Sequence, residues 1–151
     1  MAITPNVDFV SGAILTAAQQ NQFPRGAMGQ VTRTSGGTVL TTTVGDITGL
    51  SITFTAVTGR LYKATWSFSA QKTLASYTTI SFATSANVQV AALDISAADA
   101  GYFSGAGTAL FTASSGSVTY KMRGLTGLGT AATTASATQP SFFMIEDIGL
   151  A

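Results

Sequence analysis

The sequence predicts an all-β chain: an antiparallel sandwich or barrel, led by an extended arm and one short helix. Three observations carry this. Apolar and polar residues alternate with period two in one segment after another from Gly29 onward. Turn signals separate these segments at regular intervals, at Ser35-Gly36-Gly37, Gly45-Asp46, Thr58-Gly59-Arg60 and Ser114-Ser115-Gly116. Between them lies none of the amphipathic helices that a parallel α/β fold requires.

The first 28 residues differ from the rest and read as an attachment segment, with residues 29–151 as the β-domain. Ile3 to Val10 is extended, because Pro5 biases Thr4 away from helix. Thr16 followed by Gln19 is a capping-box pattern. Ala and Gln favour helix, and Pro24 stops it, which gives a helix over Ala17 to Gln22. So short a helix does not stand alone in water and must dock on a surface. Phe9, Val10, Ile14, Leu15 and Phe23 are apolar in a segment too small to bury them. With Arg25 they are the candidate partner-binding residues. The plain alternative is that the segment packs back on its own domain.

Leu50, Ile52, Phe54 and Ala56 alternate with Ser51, Thr53 and Thr55, a strand with a polar outer face. Tyr62, Ala64, Trp66, Phe68 and Ala70 alternate with Lys63, Thr65, Ser67 and Ser69, the longest clean strand and a central one. The shared phase puts Trp66 and Phe68 in the core, facing Leu50, Ile52 and Phe54 across the sheets. Val118, Tyr120 and Met122 form a third clear strand. Shorter ones run over Val31 to Thr34, Thr38 to Val44, Tyr77 to Ala83, Val88 to Ile95, Thr108 to Ala113 and Ser141 to Ile148. Gly124 to Pro140 is uncharged and low in complexity, a long loop with an extended piece.

The 151 residues are the size of one domain, and 9% are charged, against roughly 25% in ordinary soluble proteins. Hydroxyl and small residues take their place: 25 Thr, 15 Ser, 24 Ala and 16 Gly. Either Thr and Ser solvate the surface, or other subunits cover much of it. Neither Cys nor His is present. That excludes disulfides, thiolate ligands and the usual general base. A net charge of +1 leaves no footprint for nucleic acid. No run of about 18 apolar residues spans a membrane, and no signal peptide is evident.

The candidates for chemistry are few. Gly105-Ala106-Gly107 lacks the third glycine of a dinucleotide fingerprint and reads as a hairpin turn. Glu146 and Asp147 are adjacent, so on a strand they point to opposite faces and cannot flank one bond. They read as solvated or capping acids. Asp94 and Asp99, placed in a Ser-Ala-rich turn, are a weak oxygen-only calcium candidate. Lys121 and Arg123 share a strand face, with Lys63 elsewhere, and read as solubilising charges. Tyr77, Tyr102 and Phe103 suit core or interface packing better than ligand stacking. No cofactor is expected and no catalytic residue is assigned.

Two segments carry a resemblance. Phe9-Val10-Ser11-Gly12-Ala13-Ile14-Leu15-Thr16-Ala17-Ala18-Gln19-Gln20-Asn21-Gln22-Phe23-Pro24-Arg25-Gly26 and Gln139-Pro140-Ser141-Phe142-Phe143-Met144-Ile145-Glu146-Asp147-Ile148-Gly149 resemble small virion structural proteins of tailed bacteriophages. There a G-x-x-L-T-A-A-Q-x-N segment introduces a β-domain and a hydrophobic-hydrophobic-E-D-I-G strand closes it. Gln20 stands where a bulkier apolar residue is common. The resemblance covers about a fifth of the chain. It implies a jelly-roll-like sandwich, a homotrimer, and a place on a capsid surface or tail tip.

Three functions compete on this footing. The favoured one is a capsid decoration (cement) protein, assembled in the host cytoplasm and seated on the major capsid protein or another virion protein through its arm. The second is a tail-tip or fibre protein whose β-domain binds a host receptor, such as a glycan. The third, an enzyme, is weakest because acid–base residues are scarce.

Overall fold

The structure, a computed structural model, describes residues 12, 14, 16–97 and 99–151. Among these residues one helical turn, α1 (Ala17–Gln20), precedes ten strands. These are β1 (Gly26–Arg33), β2 (Val39–Leu40), β3 (Gly45–Ala56), β4 (Arg60–Lys72) and β5 (Ser76–Thr84). They continue as β6 (Gln89–Ala97), β7 (Gly101–Thr112), β8 (Gly116–Thr126), β9 (Ala131–Thr134) and β10 (Ser141–Leu150).

All pairings are antiparallel, and they nest. β1 pairs with β10, β3 with β8, β4 with β7 and β5 with β6. Such nesting is a long hairpin rolled up on itself, the jelly-roll arrangement. It closes a six-stranded sheet, where β4 lies between β7 on one side and β10 and β9 on the other. The second sheet runs β3-β8-β5-β6.

The core lies between the sheets, as the period-two phase requires. Tyr62, Ala64, Trp66, Phe68 and Ala70 of β4 meet Leu50, Ile52 and Phe54 of β3 and Ile80 and Phe82 of β5 in one buried cluster. Phe82 is its hub, with ring centroids 5.0 Å from Phe111, 5.1 Å from Tyr120 and 5.8 Å from Phe143. Pairs at these separations add to the burial of their area.

Several sequence expectations change. Gly105 and Gly107 are not a turn; they sit within β7, opposite Phe68 and Trp66 of β4. A Cβ on Gly107 would strike the Trp66 indole, and one on Gly105 would strike Ile95. The glycines are there to admit large partners, a non-local cause that local composition does not reveal. Of Thr38 to Val44, only Val39 and Leu40 pair in a sheet. Within Gly124 to Pro140, β8 continues to Thr126 and β9 supplies the extended piece. Asp94 lies on β6 rather than in a turn, and accepts a hydrogen bond from the Thr79 hydroxyl across the strand pair.

Candidate functional site

At one end of the sandwich the chain fastens its own N-terminal turn. Thr16 caps α1: its hydroxyl accepts from the Gln19 amide at 3.2 Å, and the Gln19 side chain accepts from the Thr16 amide at 2.9 Å. Arg60, at the start of β4, is 2% exposed. It forms a two-pronged ion pair with buried Asp147 of β10, through Nε to Oδ2 and through Nη2 to Oδ1 at 2.6 Å. The rest of the guanidinium donates to the carbonyls of Asn21 at 2.5 Å and Phe23 at 2.6 Å. A bulge opposite Leu61 lets the Gly149 amide also donate to Asp147, at 3.0 Å. Gly149 has φ +119°, a conformation a side chain rarely adopts. Asp147 is therefore not the solvated acid the sequence suggested. With Arg60 it holds the segment leaving α1 against the β-domain.

Of the candidate partner-binding residues, Phe9, Val10 and Leu15 lie outside the described residues. Ile14 is 92% exposed, Phe23 is exposed although its carbonyl is held by Arg60, and Arg25 is exposed. β1 begins at Gly26, just ahead of the expected boundary.

The two outer faces of the sandwich are unlike. The face of the β3-β8-β5-β6 sheet is hydroxylic and charged, carrying Ser51, Thr53 and Thr55 beside Thr119, Lys121 and Arg123. Lys121 Nζ and Arg123 Nε reach the two oxygens of Asp46 at 2.6 and 2.8 Å. The Lys121 hydrogen bond, with the one from Arg123 and the two positive charges, holds the Asp46 carboxyl below its usual range despite some desolvation. One carboxylate thus offsets only one of the two positive charges, and the cluster leaves a net positive charge on this face.

The outer face of the six-stranded sheet is poor in charge. Cross-strand register lines up Thr32, Phe142, Ser67 and Ala106 in one row and Gln30, Met144, Thr65 and Thr108 in the next. The following row holds Ala27, Glu146, Lys63 and Leu110. Its two charges pair with each other at 2.7 Å. Leu110 is 57% exposed, and Phe142, Met144 and Ile148 are partly exposed. Toward the other end the face turns polar. Ser69 pairs with Ser104 and Gln71 with Tyr102, and a groove of about 400 Å³ opens beside Gln139. Tyr102 is 75% exposed there. Tyr77 stands apart, half-exposed on the other sheet with its ring over Gly127. Phe103 turns inward, edge-on to Phe68.

Sequence reasoning missed the Arg60–Asp147 clamp and the groove. Among the described residues no group of three or more acidic side chains is placed to hold a metal ion.

No protein-family profile matches the chain, and no curated protein matches it by sequence. Solved structures do match. The Eiger TNF of S. frugiperda aligns at 9% identity and a TM-score of 0.55, covering 84% of this chain and 96% of that one. The globular domain of zebrafish complement 1qA aligns at 12% identity and 0.44, covering 82% and 95%. A chain of the T13 IBDV viral particle aligns at 10% identity and 0.44, covering 97% of this chain and 40% of that one. The likeness to the TNF domain is one of fold, and the nested antiparallel pairing seen here is its substance: this chain is a jelly-roll β-sandwich.

Proposed function

We propose that this chain is a virion structural protein of a tailed bacteriophage: a capsid decoration protein, assembled in the host cytoplasm, that forms a homotrimer. The observation that carries the reading is the contrast between the outer faces. One is solvated by Ser, Thr and a closed ion cluster. The other presents Phe142, Met144, Ile148 and Leu110 around a single self-neutralising pair. A partly apolar face with no net charge suits burial against copies of itself, and closed rings are the common way identical subunits do this. The stoichiometry of three and the phage setting rest on the resemblance of the two end segments. In this reading the chain is structural and not catalytic, and it engages neither nucleic acid nor membrane.

Light scattering at micromolar concentration tests the assembly. The expected mass is three times 15.3 kDa. Leu110→Asp removes an exposed side chain, so the fold should keep its stability within about 0.5 kcal/mol. The added carboxylate within the proposed contact should return the chain to monomer. A wild-type monomer, or a Leu110→Asp variant of unchanged mass, counts against the face.

Attachment to the major capsid protein or another virion protein is assigned to the segment ahead of α1, with exposed Ile14 among its described residues. Because Arg60 ties residues 21 and 23 to the sandwich, deletion of residues 2–15 spares the fold. It should abolish occupancy on particles, with little dependence on salt because apolar burial, at about 25 cal/mol per Å², is not screened. Wild-type occupancy of the truncated protein on purified capsids would place attachment on the β-domain. The tail-tip reading draws on a different feature, the groove beside Tyr102. Imaging the chain on purified virions separates capsid from tail.

A further inference from the structure

We propose that the groove walled by Tyr102 and Gln139 is a binding site for a neutral saccharide. It lies on the outer face of the six-stranded sheet, where β4 ends and β7 begins. Its floor is Ser67 and Ser69 of β4 with Ser104 of β7. Tyr102 forms one wall, and Gln139 borders the groove along its whole length. At about 400 Å³ it has the size of a small-ligand site.

The chemistry of the lining selects the ligand class. Among the described residues no charged side chain lines the groove. A phosphate or carboxylate would find no cation there, and an amine no anion. Serine hydroxyls and a primary amide both donate and accept hydrogen bonds. They match a ligand whose own groups do both at close spacing, as vicinal sugar hydroxyls do. Tyr102 adds an exposed ring, and the C–H face of a pyranose packs on such a surface while the phenol oxygen bonds at the rim.

The site is held before any ligand arrives. Ser69 and Ser104 are direct cross-strand partners in the sheet. Gln139 sits on a turn closed by reciprocal backbone bonds with Ser136, at 3.1 and 3.3 Å, and by a bond from its amide to the Ser136 hydroxyl at 3.0 Å. Pro140 fixes the chain entering β10. Little ordering remains to be done on binding, which favours affinity. The groove adjoins the apolar rows at one end, where Ser67 and Ala106 share a row with Phe142, while its Tyr102 wall lies clear of Leu110. Tyr102 and Leu110 are eight residues apart on β7, roughly 26 Å at the rise of a strand.

The inference holds for a capsid or a tail location alike and does not rest on choosing between them. The test is an array of oligosaccharides ending in glucose, galactose, mannose or N-acetylglucosamine, beside sialylated and sulfated ones. It is probed with the wild-type protein in the oligomeric state in which it purifies. Neutral members should bind, with titration giving millimolar affinity or better. Tyr102→Ala should weaken binding at least tenfold, Gln139→Ala several-fold, and Ser104→Trp should abolish it by filling the floor. Tyr77→Ala, at the other exposed tyrosine, should leave it unchanged. Thermal midpoints equal to wild type keep these readings clear of unfolding. The site is overturned if no neutral member binds, if only charged members bind, or if binding survives both Tyr102→Ala and Ser104→Trp. Light scattering on the same samples reports the assembly separately, so failure of either idea leaves the other readable.

Discussion

Trp66→Ala should destabilise the sandwich by about 3–5 kcal/mol, the cost of emptying a large aromatic site in a close-packed core. The indole is 2% exposed and stacks 6.2 Å from Phe82, the hub of the aromatic cluster. It occupies space that Gly107 leaves on the facing strand, where a Cβ would come within 2.3 Å of Cζ2. That closeness makes a sharper statement than the single loss. Gly107→Ala alone should cost about 1–3 kcal/mol by overpacking. In a Trp66→Leu background, where the ring is gone, the same change should cost far less. Urea unfolding of the four proteins gives the coupling energy directly. Additive costs would mean that the glycine serves the backbone and not the ring.

The same pair shows how much of the fold was legible. The phase of β4 could be read because five apolar residues alternate without a break from Tyr62 to Ala70, and burial of one face demands that register. Gly107 was misread because a G-x-G reads locally as a turn, while its cause is an indole 41 residues away in sequence and adjacent only through the β4-β7 pairing. β2 was overestimated for a related reason. Thr38 to Val44 has strand composition, but only Val39 and Leu40 form a paired strand, on β9. Composition shows which residues tolerate a strand; pairing depends on what lies alongside. The short helix was legible because its cap is local, with Thr16 and Gln19 three residues apart.

The candidate surfaces were harder to read for the same physical reason. The charge shortage hinted at a covered face; the charge-poor face proposed for that role can be recognised only from cross-strand rows that join β1, β10, β4 and β7. The groove is likewise assembled from β4, β7 and the turn before β10. Arg60 followed Thr58-Gly59 and so read as turn punctuation. Its partner Asp147 lies 87 residues on, beyond any spacing pattern.

Asp147→Ala should cost about 3–5 kcal/mol, because it leaves the Arg60 guanidinium buried without its counter-charge. Desolvation is the deciding effect: the ion pair itself stabilises little relative to an apolar pair of similar volume, but half of it is costly. Replacing both, as Arg60→Met with Asp147→Leu, should therefore be milder than Asp147→Ala alone. The double variant should still leave the Gly149 amide without its acceptor, and it should lose the hold on α1. The carbonyls of Asn21 and Phe23 no longer meet a donor, so the turn after α1 is freed from the sandwich. Hydrogen exchange would show it: the Gln20 and Asn21 amides, bonded to Thr16 and Ala17, should exchange faster while those of β4 stay protected. Arg60→Lys does not substitute, since one ammonium cannot span a carboxylate and two carbonyls in a planar fork. If the double variant is as costly as Asp147→Ala and α1 exchanges as in wild type, the clamp is a core element of the β-domain and does not govern the N-terminal segment.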